Sequence, residues 1–430
     1  MNIRAMKKIL LLILISIFTV KIADAQEFTL DADIRPRFEY RHGFGDLFPD
    51  NAKPAAFVTQ RSRLNMGFTD EKLSLYFAVQ DVSTWGDEQT LTASDNNNSF
   101  SLFQAWVRYS FTEDWAIKLG RQVIAYDNQR ILGEVDWAMQ GRFHDAAMIQ
   151  YSKNKFKLDL AFAYNQEKQS NLETDYTITG GFSYKTMQMA HLSKAWDKAT
   201  FSFLFMNNGF QKYTSDPIPQ TDGLYYRQTT GAHVVFPLSV LTITGSAYLQ
   251  TGMANASTDL SAFQYMVEAK YQPGKVTLIA GFESLSGTDQ VGEEKNKSFF
   301  PLYGTNHKFN GFMDYFYVGN HANNVGLNDA YGKVALATGE KSSIGLNAHF
   351  FFANAKMAND LGQNLGTELD LVYSKSFGKY VKIGAGYSQM FATESMSAVK
   401  GGISSENTNN WGWVQLIVNP RLLTYKFKEN

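Results

Sequence analysis

The chain has 430 residues, with 40 Lys and Arg against 41 Asp and Glu, and no cysteine. The missing cysteines exclude disulfides and thiol chemistry. Phe and Tyr are abundant (33 and 22), yet mean hydropathy is slightly negative at −0.27, which excludes a bundle of membrane helices.

The N-terminus reads as an address. Arg4, Lys7 and Lys8 precede an apolar run from Ile9 to Val20, and Ala23-Asp24-Ala25 forms a small-residue cleavage site before Gln26. This is the pattern of a secretory signal peptide over 1–25, and the run is too short for a spanning helix. Removing it leaves 36 basic against 40 acidic residues, a balance that excludes a nucleic-acid protein. No linker composition interrupts the remainder, so 26–430 is expected to form one domain.

Alternating segments follow at 28–41, 57–69, 73–82, 101–111, 115–125, 145–152, 156–166, 181–194 and 199–208. They continue at 225–237, 240–250, 261–272, 275–286, 329–338, 343–353, 366–376, 381–391 and 410–418. Most are near the ~9–11 residues that a tilted membrane strand needs. In 28–41, Leu30, Ala32, Ile34, Pro36, Phe38 and Tyr40 alternate with Asp31, Asp33, Arg35, Arg37, Glu39 and Arg41. In 156–166, Phe156, Leu158, Leu160, Phe162 and Tyr164 alternate with Lys157, Asp159 and Asn165. A period of two marks a strand with one apolar and one polar face.

The connections alternate as well. TDEK (69–72), TEDW (112–115), SKNK (152–155), QPGK (272–275) and FGKY (377–380) are short turns, whereas 42–56, 83–100, 126–144, 209–224, 287–328 and 392–409 are long and polar. With the export signal, this asymmetry predicts an all-β transmembrane antiparallel up-and-down barrel of about 18 strands in the bacterial outer membrane. Its short turns are periplasmic and its long loops extracellular. The charged face is then the lumen and the apolar face meets outer-membrane lipid. Tyr40, Tyr109, Trp115, Tyr164, Tyr271, Tyr373, Tyr387, Trp411 and Trp413 lie near strand ends, where interfacial girdles are expected.

From Leu119 to Ala146 the chain reads LGRQ-x-IAY-D-x-QR-ILG-x-x-DW-x-x-QGR-x-x-DA. This string resembles the characteristic segment of the alginate export family of bacterial outer-membrane barrels. PLYGTNHKFNGFMDYFYVGNH, from Pro301 to His321, resembles segments of Bacteroidetes-type members. The resemblance implies passage of an anionic polysaccharide or its oligomers.

The candidate pore-lining residues are basic. Arg35, Arg37 and Arg41 share a face, as do Arg61 and Arg63, and Arg108 and Lys118 are expected in the same lumen. Strict alternation from Lys118 turns Arg121 outward unless Gly120 marks a bulge. Arg130 and Arg142 belong to loop 126–144, with Asp136 and Asp145 as partners. Such cations suit rings that pass anions, or they pair with interior acids such as Asp33, Glu39, Asp159, Glu268, Glu368 and Asp370 as filling. Loop 126–144 folds inward as a constriction or stays on the surface through an Asp136–Arg142 pair. The aromatic loop 287–328 packs into the mouth or lumen.

His307, Asp314 and His321 match no metal-binding or hydrolytic spacing, and no nucleotide fingerprint occurs, so neither cofactor nor metal nor catalytic residue is expected. Passive passage of an anionic saccharide is the leading reading. A small-organic-anion porin and an enzyme using loop 287–328 are the alternatives. No periplasmic partner is identifiable.

Overall fold

The polar–apolar alternation becomes one continuous antiparallel sheet. It comprises β1 (Glu27–His42), β2 (Ala55–Thr69), β3 (Leu73–Thr84), β4 (Ser101–Ser110), β5 (Trp115–Gln122), β6 (His144–Lys153) and β7 (Phe156–Tyr164). Next come β8 (Thr186–Trp196), β9 (Ala199–Tyr213), β10 (Thr221–Leu238), β11 (Leu241–Met253), β12 (Asp259–Tyr271) and β13 (Val276–Leu285). The wall is completed by β14 (Leu327–Gly339), β15 (Ser342–Phe352), β16 (Asn364–Phe377), β17 (Val381–Ala392), β18 (Asn409–Val418) and β19 (Arg421–Lys426). The computed structural model describes residues 26–427 other than 89–98, 173, 179–182, 214–220, 293–294 and 317–324. The signal-peptide reading of 1–25 lies outside the described residues, as do His321 and positions 181–182 of the expected strand 181–194.

From β1 to β18 every strand pairs with its sequence neighbours, and β1 closes the ring on β18 and β19. The last two are halves of one crossing. Pro420 has no N–H to give a ladder, the β1–β19 register shifts between Leu30 and Asp31, and the Ala32 N–H donates to the Pro420 carbonyl at 3.1 Å. The result is the expected closed barrel of 18 crossings. The last crossing runs on past the expected end at 418, and β9 and β10 extend into the expected loop 209–224. Among the described residues no helix is long and apolar enough to cross a membrane. A short helix, α1 (Glu394–Val399), lies in the last long loop and is capped by the Thr393 side chain, which accepts from the Met396 N–H.

The faces follow the sequence pattern. In β1, Ile34, Phe38 and Tyr40 are exposed on the outside, while Asp33, Arg35, Arg37 and Glu39 are buried inside. In β12, Phe263, Tyr265, Val267 and Tyr271 point out, and Gln264 and Met266 point in. Charged side chains such as Arg61, Glu39 and Glu368 are thus buried while large apolar ones cover the outer wall, the reverse of a water-soluble barrel.

Two expectations need correcting. Trp411 and Trp413 are not girdle residues, because their strand parity is that of buried Asn409 and Gln415, whereas Val414 faces out. Phe103, which alternation with Ala105, Val107, Tyr109 and Phe111 places on the apolar outer face, also turns inward. The β3–β4 register shifts between Ala78 and Val79, so Leu102 takes the outer face and Phe103 is 3% exposed.

The β7 facing gives a stability prediction. Leu160→Arg should cost roughly 2–4 kcal/mol near mid-membrane. Asp159→Asn should cost far less, since Asp159 faces inward and accepts from Tyr126 Oη at 2.7 Å. Thermal unfolding in detergent measures both, and equal losses would refute the facing.

Candidate functional site

The barrel is filled in its middle by the β5–β6 connection (123–143) and part of the β13–β14 connection (286–326). Their backbones bind each other: Gly133 N–H to the Tyr303 carbonyl at 2.9 Å, Tyr303 N–H to Ile131 at 3.0 Å, and Thr305 N–H to Gln129 at 2.9 Å. Leu132 and Tyr303 are buried at the seam. Arg130, 2% exposed, crosses it and anchors both loops to the wall. Its guanidinium grips Glu283 of β13 at 2.8 and 2.9 Å and also donates to Asn306 and Asn310. A buried ion pair offsets its desolvation only when the remaining donors are also met, as here. Arg130 is therefore a strut of the plug.

Most of the β1–β2 arginines hold the other edge of loop 123–143. Asp136 accepts from Arg35 Nη1 at 2.9 Å and Arg61 Nη2 at 3.0 Å, and Asp33 binds the same two guanidiniums. Arg37 donates to the Trp137 carbonyl at 2.8 Å and lies 4.1 Å from the centre of the Trp137 ring. Glu39, 1% exposed, accepts from Arg37, Arg41 and Trp411 Nε1. The expected Asp136–Arg142 surface pair is replaced by this inward clasp, and Arg142 instead donates to the Leu302 and Gly304 carbonyls. Burial pushes the Asp136 carboxyl up, but Arg61 and Arg35 outweigh it and hold its pKa below the ordinary value.

Arg121 and Asp145 lie elsewhere. Gly120 takes φ +117°, but the β4–β5 ladder runs unshifted from Ala105↔Arg121 to Ser110↔Ala116. Parity is kept, so Arg121 faces outward, paired with Asp145 through two 2.9 Å hydrogen bonds and stacked on Phe143. Neither residue lines the lumen or a constriction.

Three cations differ from the rest. Arg63 donates to Gln80 Oε1 at 2.9 and 2.6 Å and lies 3.8 Å from the Phe103 ring centre. Arg108 donates to Gln150 and Ser110, and Lys118 sits 4.2 Å from the Trp106 ring centre. Arg108 and Lys118 are direct partners in the ladder, a like-charge opposition that destabilises a sheet. Among the described residues no carboxylate lies within ion-pair distance of any of the three. Arg63 is near mid-strand, while Arg108 and Lys118 are towards the short-turn ends.

Two cavities flank the plug. One, of about 450 Å³, lies towards the long-loop end between Arg37, Arg41, Phe57, Thr84, Trp137 and His307. The other, of about 500 Å³, lies towards the short-turn end against β10 to β15, among His233, Glu268, Lys308, Phe312, Lys333 and Asn347. The 307–314 segment stands between them, with His307 and Asp314 on one side and Lys308, Phe309, Asn310 and Phe312 on the other. His307 is stacked between Trp137 (4.3 Å) and Phe312 (5.4 Å), and its Nδ1 lies 2.9 Å from Asp314. It is a packing element of the plug. Among the described residues no group of three or more His, Asp or Glu is arranged to hold a metal. Sequence reading missed Trp137, Phe103 and Trp411 as interior residues. For Trp411, its parity with Asn409 and Gln415 was the available signal.

The alginate export family profile matches residues 26–408. The chain belongs to the alginate export family. Its fold is shared with solved outer-membrane porins. Pseudomonas aeruginosa OpdQ is 12% identical with a TM-score of 0.58, covering 92% of this chain and 98% of that one. A BenF-like porin from Pseudomonas fluorescens Pf-5 is 13% identical at 0.61, covering 92% and 99%. P. aeruginosa OccK2 (OpdF), solved in complex with glucuronate, is 10% identical at 0.60, covering 92% and 98%. No curated protein matches the chain in sequence. This family member is a bacterial outer-membrane barrel of the porin type.

The Asp136 clasp has a defined pH window. Because its pKa is depressed on folding, its stabilisation is complete above the ordinary carboxylate value of about 3.9. It is lost as pH falls through the lower folded value. Asp136→Asn should raise single-channel conductance by loosening loop 123–143. Wild-type conductance should approach the variant's only below about pH 4. An acid step of equal size in the variant would show that other groups hold the loop.

Proposed function

We propose that this barrel is a passive channel for anionic saccharides, with Arg63, Arg108 and Lys118 as the cations that meet the solute. The observation that carries this reading is their lack of a carboxylate partner. Arg35, Arg37, Arg41, Arg61 and Arg130 are already committed to Asp33, Glu39, Asp136 or Glu283, and all of these but Arg41 hold the plug. A like-charge pair in a sheet is tolerable when a mobile anion supplies the counter-charge. Binding through neutral amides and aromatic faces keeps each contact weak enough for release. Family membership supports a uronate-type substrate, and the glucuronate complex of OccK2 supports carboxylated sugars as cargo for this fold.

A second reading, a channel for small organic anions, is favoured by the 307–314 segment standing between the two cavities. Uptake of uronate monomers and oligomers into liposomes separates the two. Flux limited to monomers supports the small-anion channel.

Arg63→Gln, Arg108→Gln and Lys118→Gln together should lower the anion-to-cation permeability ratio at 0.1 M salt. The effect should vanish at 1 M, where the screening length falls from about 10 Å to about 3 Å. An unchanged ratio at low salt would remove these cations from the solute path. Arg61→Ala should instead disturb conductance by unseating loop 123–143.

A further inference from the structure

Loop 123–143 crosses the barrel and is seated at both ends. One seat is Asp136 on Arg35 and Arg61, cations that stay charged at any ordinary pH. The other is Asp127, which reaches the wall formed by β8, β9 and β10. Asp127 takes φ +54°, a left-handed conformation that aspartate adopts more readily than most residues. Its Oδ1 accepts from Ser202 Oγ at 2.6 Å. His191 Nε2 lies 3.5 Å from Oδ2, and His233 Nδ1 lies 4.0 Å from Oδ1. Both histidines are buried, and the Nε2 of each makes no hydrogen bond. The preceding Tyr126 stacks on His191 with ring centres 3.9 Å apart and donates to Asp159 of β7.

A neutral imidazole offers one N–H, whereas a protonated one offers two together with a positive charge. The other groups facing the seat are few. Asp159 is occupied by Tyr126 and Gln150. Lys308 donates to the Asn128 carbonyl beside Asp127, and buried Tyr248 of β11 adds a phenol. Further into the same cavity lie Glu268, Lys333 and the Asp329–His349 pair. Asp127 is the carboxylate nearest to His191 and His233, so a proton on either ring draws it tighter to the wall.

We propose that Asp127 is a positioning residue of the constriction and that protonation of His191 and His233 tightens its seat, so that gating follows pH in the histidine range. One end of the loop is pinned on guanidiniums and the other on imidazoles. The inference rests on the barrel being a channel, and not on which solute it carries.

The test is planar-bilayer recording of the full-length barrel in KCl between pH 5 and 8, with heat-modifiable gel mobility as the folding control. Current interruptions should become more frequent as pH rises across this range. His191→Gln with His233→Gln should flatten the profile, and Asp127→Asn should flatten it independently. Asp136→Asn should keep the profile's midpoint while changing its amplitude. A flat wild-type profile overturns the proposal, as does a profile that survives in the double histidine variant or in Asp127→Asn. A barrel that carries no current at any pH overturns both this inference and the channel reading.

Discussion

A wall that faces hydrocarbon turns most of its charge inward, the outward Arg121–Asp145 pair aside, and most of the charge sent inward is met there. This constraint organises the molecule. The outer face is spent on Phe, Leu, Val and Tyr, so the inner face takes the arginines and carboxylates, many with little contact with solvent. Glu39 illustrates the outcome: two guanidiniums and an indole N–H converge on one buried carboxylate. Ion pairing inside the barrel is thus first a condition of folding, and only the cations left over are available to a solute.

The plug obeys the same rule. Residues 123–143 and 295–316 bring irregular backbone into the barrel, which is tolerable at membrane depth only where protein surrounds it. Their mutual backbone bonds meet part of this need, and Arg130 meets more by binding Glu283, Asn306 and Asn310 together. Towards the mouth, Lys400 does related work. Its buried ammonium donates to the carbonyls of Gly45 and Tyr315, joining three long loops. Burial lowers the Lys400 pKa to about 8, the nearby Asp46 opposing the shift. Solute paths through this lumen are therefore shaped by packed, polar-satisfied loops as much as by the wall.

The wall was legible in the sequence because a period of two is a local property and short turns fix which strands are neighbours. Parity alone places Arg35, Arg37, Arg61 and Arg63 on the inner face, whereas Arg121, a pore-lining candidate only if Gly120 made a bulge, obeys the same parity and faces outward. Pairing was not legible. Asp136 lies 75 residues from Arg61 and 101 from Arg35, while Arg142 is near in sequence and was the natural but wrong partner. Trp411 and Trp413 were assigned to the membrane interface because aromatic residues near strand ends usually belong there. Their inward parity with Asn409 and Gln415 is the opposing signal, and it is the one the structure follows. Phe103 could not have been assigned, since a register shift leaves no mark in the alternation itself.

The interruption at Asn419 and Pro420 bears on how the ring comes into being. Successive hairpins bring together residues close in sequence, but β1 and β19 are separated by almost the whole chain, so their meeting is the least local event in assembly. That meeting is also interrupted. Ladder partners are missing around Pro36 and Pro420, and Arg421 with Asp31 forms an exposed latch across the gap. Loop-closure entropy therefore sets this seam apart from the hairpins: it is the one pairing in the wall that local chain contacts do not bring together.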